Sequence, residues 1–447
     1  MSKPAIGFIG LGAMGFGMAT HLLKEGYPVV GFDVWGPTLD RFKAAGGQTA
    51  TTPGQAVKGC EFCICMVASA PQAQSALFET DDAAIKSLPK GSTLLLASTV
   101  PSAYATSVQT QLAALSRSDI LFIDCPVSGG TARAATGELT IMAGGSDAAL
   151  KHGHALLMDL TAPDKLFIVK GGIGAGSNMK MVHQVLAGAH VTAAGEALGF
   201  AARLGLDPKK TYELVTKEGC ESWSWMFENR MARALTAEYK PAASALTIML
   251  KDLGIITSTG RLSQFPTPLS AIAEQLFLSG VSLGWAGDDD SSMVRLYYPD
   301  ALAAVQASST SKLSEAERQQ LVLDLLSAVH LVTAAEALAF THALGLDVQQ
   351  YFTLCADAAG ASWSFRAHGP EIMALLTGTP SSVPAPDKVS LDARIDALSK
   401  VLVEAKNVGC PIYLGSEAMS ALSLARRRVG GSVGEVKGLI TGFWAAK

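Results

Sequence analysis

Three residues in the segment KMVHQ, residues 180 to 184, have types and spacing that could do chemistry. Lys180, His183 and Gln184 stand at i, i+3 and i+4, so on a helix they project as neighbours from one face. A lysine can carry a proton, and a histidine and an amide can hold polar groups by hydrogen bonds. An Ala-rich amphipathic stretch would otherwise place apolar residues there. Such a face is either a solvated edge or a reaction site. It follows a glycine-broken turn, GGIGAGSN, and the pattern predicts one long helix from near Ser177 to Leu204.

A second group of residues reads as a phosphate cradle. AIGFIGLGAMGFGMATHLLKEGYPVVGFDV is a strand, a glycine turn, a helix and a second strand in about 30 residues. Gly10, Gly12 and Gly15 have the GxGxxG spacing. Gly10 permits the tight turn, Gly12 lets a pyrophosphate approach the backbone, and Gly15 allows close helix–strand packing. Ala13 and Met14 complete the cofactor-binding turn, and the helix N-terminus faces the phosphates. Asp33 ends the second strand about 20 residues on, where a carboxylate accepts from both ribose hydroxyls of NAD and repels a 2′-phosphate. No arginine follows it, so NAD rather than NADP is the expected cofactor.

These groups need elements to hold them. CEFCICMV, GSTLLLAST, ILFIDCPV and ELTIMAGG read as strands, with PQAQSALF and SAYATSVQTQLAAL as helices between them. The alternation implies a mostly parallel sheet covered on both faces, whose ligands sit at strand C-termini. Val67 and Ser98–Thr99 lie at such ends. From about residue 175 onward the text is helical. A chain of 447 residues is long for one domain. Its 49% hydrophobic and 17% charged residues describe a folded core, and a net charge of −4 supplies no basic field for nucleic acid or an anionic membrane. No uninterrupted apolar run reaches the roughly 18 residues of a membrane span, and the N-terminus reads as a first strand rather than a signal peptide. Cys60 and Cys63 form a CxxC, but CEFCIC alternates like a buried strand and no second ligand pair follows, so core thiols are expected rather than a metal. A cytoplasmic protein is the expectation.

Three further stretches carry a resemblance. DCPVSGGTARAATGELTIMAGG is similar to the D-A-P-V-S-G-G signature of the β-hydroxyacid dehydrogenases, with Cys125 where alanine is usual. GAGSNMKMVHQ resembles that family's G-x-G-x-x-x-K segment, and IMLKDLG, with Lys251 and Asp252, its later K-D-L motif. The likeness covers about residues 3 to 300 and is nearest to the threonate and 3-hydroxyisobutyrate type, with a relationship to 6-phosphogluconate dehydrogenase. It implies that Lys180 is the general acid/base on the substrate hydroxyl. It further implies that Ser128, Gly129 and Gly130 bind the substrate carboxylate, and that Val67, Thr99 and Lys251 contact the cofactor. A Ser-Gly-Gly turn suits that role, because its backbone N–H groups are unhindered. His183 and Gln184 would hydrogen-bond the substrate. The family usually has asparagine at one or both positions, whereas histidine followed by an amide resembles 6-phosphogluconate dehydrogenase. Two tryptophans and Ser222 in GCESWSW either wall the substrate pocket or pack helices together.

The helical text then repeats. HVTAAGEALGFAARLGLD (190 to 207) recurs as HLVTAAEALAFTHALGLD (330 to 347), 140 residues on, and the same shift matches SWS at 222 and 362. FPTPL at 265 answers CPIYL at 410, a shift of 145, which places a small insertion in TGTPSSVPAPDK. This is duplication of a domain. By these shifts Lys180 maps to Gln320, His183 to Leu323, Gln184 to Asp324 and Lys251 to Asp396, so the copy has lost the chemistry. The expected architecture is an α/β Rossmann-type domain (1–172), an all-α substrate domain (173–305) and a degenerate all-α copy (306–447). The copy pairs with the first helical domain as an intrachain pseudo-dimer, and pairing of whole chains as a homodimer stays open. The expected activity is NAD-dependent oxidation of the β-hydroxyl of a small polyhydroxylated acid. A decarboxylating sugar-acid dehydrogenase and a non-catalytic NAD-binding sensor are the alternatives.

Overall fold

The computed structural model describes residues 3–240, 244–302, 305, 310–380 and 389–444. They form two compact units, Met1–Met181 and Val182–Lys447.

The first unit is built on one sheet. Strands β1 (Ile6–Ile9), β2 (Val29–Phe32), β3 (Gln48–Thr49), β4 (Phe62–Cys65), β5 (Thr93–Leu96) and β6 (Leu121–Asp124) run parallel in the order β3-β2-β1-β4-β5-β6. β7 (Val127–Ser128), β8 (Leu139–Gly145) and β9 (Thr161–Ile168) extend it, β8 antiparallel to β6 and β9 parallel to β8. The period-2 alternation of strands sorts their side chains to two faces. Phe8, Ile64, Leu95 and Ile123 pack in one core, with Met18 and Leu22 of the first helix (Ala13–Lys24). Ile9, Cys63, Cys65, Leu94 and Leu96 pack in the other, against Val108 and Leu112 of the helix Ser102–Ala114. The CxxC text runs into β4, with Cys60 two residues before it and Cys63 inside it: Cys60, Cys63, Cys65 and Cys125 are buried free thiols, and burial pushes Cys65 up to about 12. β9 is a strand the sequence reading did not single out, because TAPDKLFI carries a proline and two charged residues.

A helix of 29 residues, Ala175–Arg203, joins the two units covalently and carries Lys180, His183 and Gln184. Its counterpart, Glu315–Ala343, is also 29 residues long and starts 140 residues later. Each contains an apolar stretch long enough to span a membrane by composition, but those stretches are 100% and 83% buried inside the protein, which makes them core helices. Other helices recur in the same order. Pro208–Thr216 answers Val348–Ala356, Leu246–Leu262 answers Leu391–Asn407, and Pro268–Gly280 answers Tyr413–Val429. The match at SWS shifts by two residues in three dimensions: Ser224 and Ser362 are the equivalent N-caps, each accepting from the N–H three residues on. The insertion at 381–388 and linker residues 303–304 and 306–309 lie outside the described residues.

The two helical repeats grip each other reciprocally. Glu196 accepts from the backbone N–H groups of Tyr413 (2.7 Å), Leu414 (3.0 Å) and Gly415 (3.0 Å), capping a helix of the copy. Its equivalent Glu336 accepts from the N–H groups of Leu269 (2.8 Å) and Ser270 (3.1 Å) and from the Ser270 hydroxyl (2.6 Å), capping the matching helix of the first repeat. Trp225 N donates to Ala361 O, and Trp363 N donates to Trp223 O, across an antiparallel bridge between Ser224 and Ser362. His190 meets its own equivalent, His330, ring to ring at 4.6 Å. Contact of each element with the other's counterpart is the signature of an isologous, two-fold pairing.

Candidate functional site

The glycine loop behaves as its spacing demands. Gly10 has φ of +92°, and a side chain there would strike the Met66 carbonyl. A side chain on Gly15 would strike the Gly10 carbonyl, whereas one on Gly12 would meet nothing within 4 Å, so the approach to the loop is open. No side chain caps the helix that Ala13 and Met14 begin, which leaves its first N–H groups for an anion. Asp33 is tied to the same loop: Oδ2 accepts from Leu11 N at 2.7 Å and Oδ1 from Trp35 N at 2.9 Å. Val67 follows β4, and its N–H donates to the buried Ser98 hydroxyl at 2.8 Å, which in turn donates to Cys65 O. Ser98 thus ties the end of β5 to the end of β4, with Thr99 next along. These residues fit a dinucleotide.

Ser128 closes the short strand β7 and pairs with Thr140 of β8. Gly129 and Gly130 follow at φ of +141° and +73°, conformations that a side chain would resist, and both are exposed. Their backbone is accessible to an anion.

Lys180 is 6% exposed, so the solvated-edge reading fails. The start of its helix is bolted to the sheet. Asp124, at the end of β6 and fully buried, accepts from Gly174 N (3.1 Å), Ser177 N (2.8 Å) and Ser177 Oγ (2.6 Å). Burial pushes this carboxyl up to about 6, against the pull of the Ser177 and Gly174 donors. Gly176 sits so close to the carbonyls of Asp124 and Met142 that no side chain could replace its hydrogen. Asp124, Gly176 and Ser177 are positioning residues that sequence reasoning passed over. The signal was present, because a carboxylate at a strand end can accept from a helix's first N–H groups, but its partners are 50 and 53 residues away.

In the second unit, His183 and Gln184 belong to one buried polar chain. His183 Nδ1 lies 2.9 Å from Gln184 Oε1, and Gln184 Nε2 donates to Asp252 Oδ2 at 2.6 Å. Lys251 Nζ pairs with Asp252 Oδ1 at 3.0 Å. His183, Gln184 and Asp252 are 1%, 8% and 5% exposed, so the chain is held in a low-dielectric setting that strengthens it. Lys251 is thereby placed with His183 and Gln184, and Asp252 orients both the amide and the lysine.

The GCESWSW segment serves packing. The Ser222 hydroxyl contacts the copy's long helix, donating to Leu323 O at 2.9 Å and lying 2.9 Å from Ser327 Oγ. Trp223 Nε1 donates to Glu228 at 2.8 Å, and the Arg366 guanidinium lies over its ring.

Comparison with known proteins places the chain in a family. Residues 5–172 match the family model of the NAD-binding domain of 6-phosphogluconate dehydrogenase. Residues 174–297, and again 316–438, match that of the NAD-binding domain of NADP-dependent 3-hydroxyisobutyrate dehydrogenase. The chain is 39% identical over 292 residues to the L-threonate dehydrogenase of Cupriavidus necator, covering 65% of this chain and 95% of that protein. It is similar to the crystal structure of 3-hydroxyisobutyrate dehydrogenase from Salmonella typhimurium, with a TM-score of 0.60 and 33% identity over 66% of this chain and 100% of that one. The 6-phosphogluconate dehydrogenase of Plasmodium falciparum shares the fold over 95% of this chain and 96% of its own, with a TM-score of 0.64 and 16% identity.

Proposed function

Since the chain belongs to the β-hydroxyacid dehydrogenase family, we propose that it oxidises the β-hydroxyl of a small polyhydroxylated acid with NAD. It is an oxidoreductase with nicotinamide-binding architecture. The cofactor, when bound, supplies the hydride acceptor. The observation that carries the finer reading is the buried Lys180, on a helix whose first turn Asp124 holds by three hydrogen bonds.

In this reading Lys180 takes the proton of the substrate hydroxyl as oxidation proceeds and returns one in the reverse direction. The Ser128 hydroxyl and the backbone of Gly129 and Gly130 hold the carboxylate. His183 and Gln184 hydrogen-bond the remaining hydroxyls, oriented by Asp252. Gly10, Gly12, Ala13, Met14 and Gly15 receive the pyrophosphate, Asp33 the adenosine ribose, and Val67, Thr99 and Lys251 the rest of the cofactor. The preference for NAD rests on Asp33 and on the absence of an arginine beside it. Identity to a threonate dehydrogenase supports a four-carbon sugar acid as the substrate type.

The doubled helical region, together with the His183–Gln184 pair, favours one second reading, a dehydrogenase whose β-keto product loses carbon dioxide. The second helical repeat is the pseudo-dimer partner of the first, and it carries Gln320, Leu323 and Asp324 where the first has Lys180, His183 and Gln184. A panel of four- to six-carbon hydroxy acids, screened with NAD and with NADP by the absorbance of the reduced cofactor, tests the proposal. Turnover of a threonate-type acid is expected. Carbon dioxide release in the same reaction would select the second reading, and cofactor binding without turnover of any acid would select a sensor.

A further inference from the structure

The pairing of the two repeats is reciprocal at the caps and at the bridge, but some contacts among the described residues are made on one side alone: Ser222 holds the copy's long helix at Leu323 O, and a tyrosine of the copy holds the first repeat's. Tyr351, in the copy's helix Val348–Ala356, is fully buried and donates its phenol proton to Val182 O at 2.9 Å. Its ring packs edge-on against Phe365 at 5.9 Å. Asp347 and Asp207 cap the two equivalent helices, 140 residues apart, so the counterpart of Tyr351 is Thr211 and that of Val182 is Val322. Thr211 does not reach across: its hydroxyl donates to Asp207 O, within its own helix, at 2.9 Å. The two-fold pairing therefore does not require the tyrosine.

A second contact falls beside the first. Gly360 of the copy lies so close to Leu186 that an added Cβ would stand 2.9 Å from Leu186 Cδ1. Val182 and Leu186 are one helical turn apart, and His183 and Gln184 lie between them. On the opposite side, the corresponding stretch of the copy's helix holds Leu323 and Asp324, which have no substrate to orient.

We propose that Tyr351 is a positioning residue for the substrate-orienting pair, by which the catalytically silent repeat fixes the rotation and height of the helix turn bearing His183 and Gln184. The inference rests on the functional reading of those two residues given above. Burial pushes the Tyr351 phenol well above its ordinary range, so it remains a donor at any working pH. A bond to a backbone carbonyl suits positioning, because it acts on the helix rather than on any one side chain. A small displacement of a substrate-orienting group costs rate far out of proportion to its effect on folding.

The test is Tyr351→Phe, which keeps the ring against Phe365 and removes the hydroxyl alone, with Thr211→Val as the matched change on the silent side. For Tyr351→Phe, kcat/KM for the preferred hydroxy acid should fall about tenfold or more, while KM for the cofactor stays within about twofold. Amide hydrogen exchange across residues 180 to 187 should quicken. Thr211→Val should change neither. Gly360→Ala, which pushes on Leu186 from the same side, should reproduce the kinetic signature with the hydroxyl intact. Unchanged exchange across that turn in Tyr351→Phe would overturn the proposal. So would faster exchange with unchanged kcat/KM, or equal losses in Tyr351→Phe and Thr211→Val. A parent protein that turns over no acid on the panel would sink the functional reading, and the exchange arm would still decide whether Tyr351 holds the turn.

Discussion

Lys180 combines two properties that seldom coincide in a structural lysine, near-complete burial and a helix start held by a remote carboxylate. Burying an amine that does nothing is costly, since the long stem normally lets the charge reach water. Lys180→Met keeps most of the apolar stem and removes the proton carrier. Turnover should then fall by about 10²–10⁴-fold with cofactor affinity within a few-fold, measured by steady-state kinetics and cofactor titration. Turnover within about tenfold of the parent would remove Lys180 from the acid/base role. Asp33 poses a question of selectivity. Its carboxylate already accepts from Leu11 and Trp35 N–H groups, so its orientation beside the glycine loop is fixed. Asp33→Ala should weaken NAD, relieve the repulsion of a 2′-phosphate and narrow the ratio of kcat/KM for NAD over NADP. A parent enzyme that already prefers NADP would refute the assignment.

Between elements, the two long helices meet at residues related by the repeat. His190 and His330 are fully buried, with no hydrogen-bond partner for either ring among the described residues. Burial pushes both down, His190 well below its ordinary value and His330 to about 3. The folded protein keeps both rings neutral, while the unfolded chain protonates them below about 6.5. Stability from this pair is therefore present above pH 6.5 and lost as pH falls towards 3. At pH 5 the His330 ring should cost about 2 kcal/mol, and His190 acts with the same sign. Glu196 and Glu336, which burial pushes up to about 7, act with the opposite sign. Comparing the parent with the His190→Leu/His330→Leu double variant at each pH cancels that contribution. Urea midpoints should converge or cross on going from pH 7 to pH 5, and parallel acid limbs would show that the pair does not titrate this way.

For the whole molecule, the second repeat exchanges caps with the first. Its removal would strip three N–H donors from the buried Glu196 carboxylate and the Glu336 cap from Leu269 and Ser270. Each orphaned buried group costs about 1–3 kcal/mol, more when charged. The apolar faces of both long helices would also meet water. Deleting residues 311–447 should give aggregation or forced dimerisation with loss of activity, read by light scattering and the NAD assay. A soluble, fully active monomer would make the repeat an appendage. Joined in one chain, the two repeats need no encounter between subunits, because a tether supplies a millimolar effective concentration.

Much of this was legible before any coordinate. The glycine spacing, Asp33 and the alternating strands specify a parallel sheet with a nucleotide turn because local sterics and period-2 burial act over a few residues. The repeat was legible for a related reason: burial in the same fold keeps the same apolar text, and the loss of Lys180 and Lys251 equivalents could be counted directly. Tertiary structure alone decided the rest. Asp124 capping the Lys180 helix, Asp252 accepting from Gln184, and Glu196 and Glu336 exchanging caps are hydrogen bonds between residues 50 or more apart in the chain. The two-residue slip at Ser224 and the one-sided reach of Tyr351 belong to the same class. Sequence spacing reports which residues share a face of one element. Which faces meet is set by how whole elements pack.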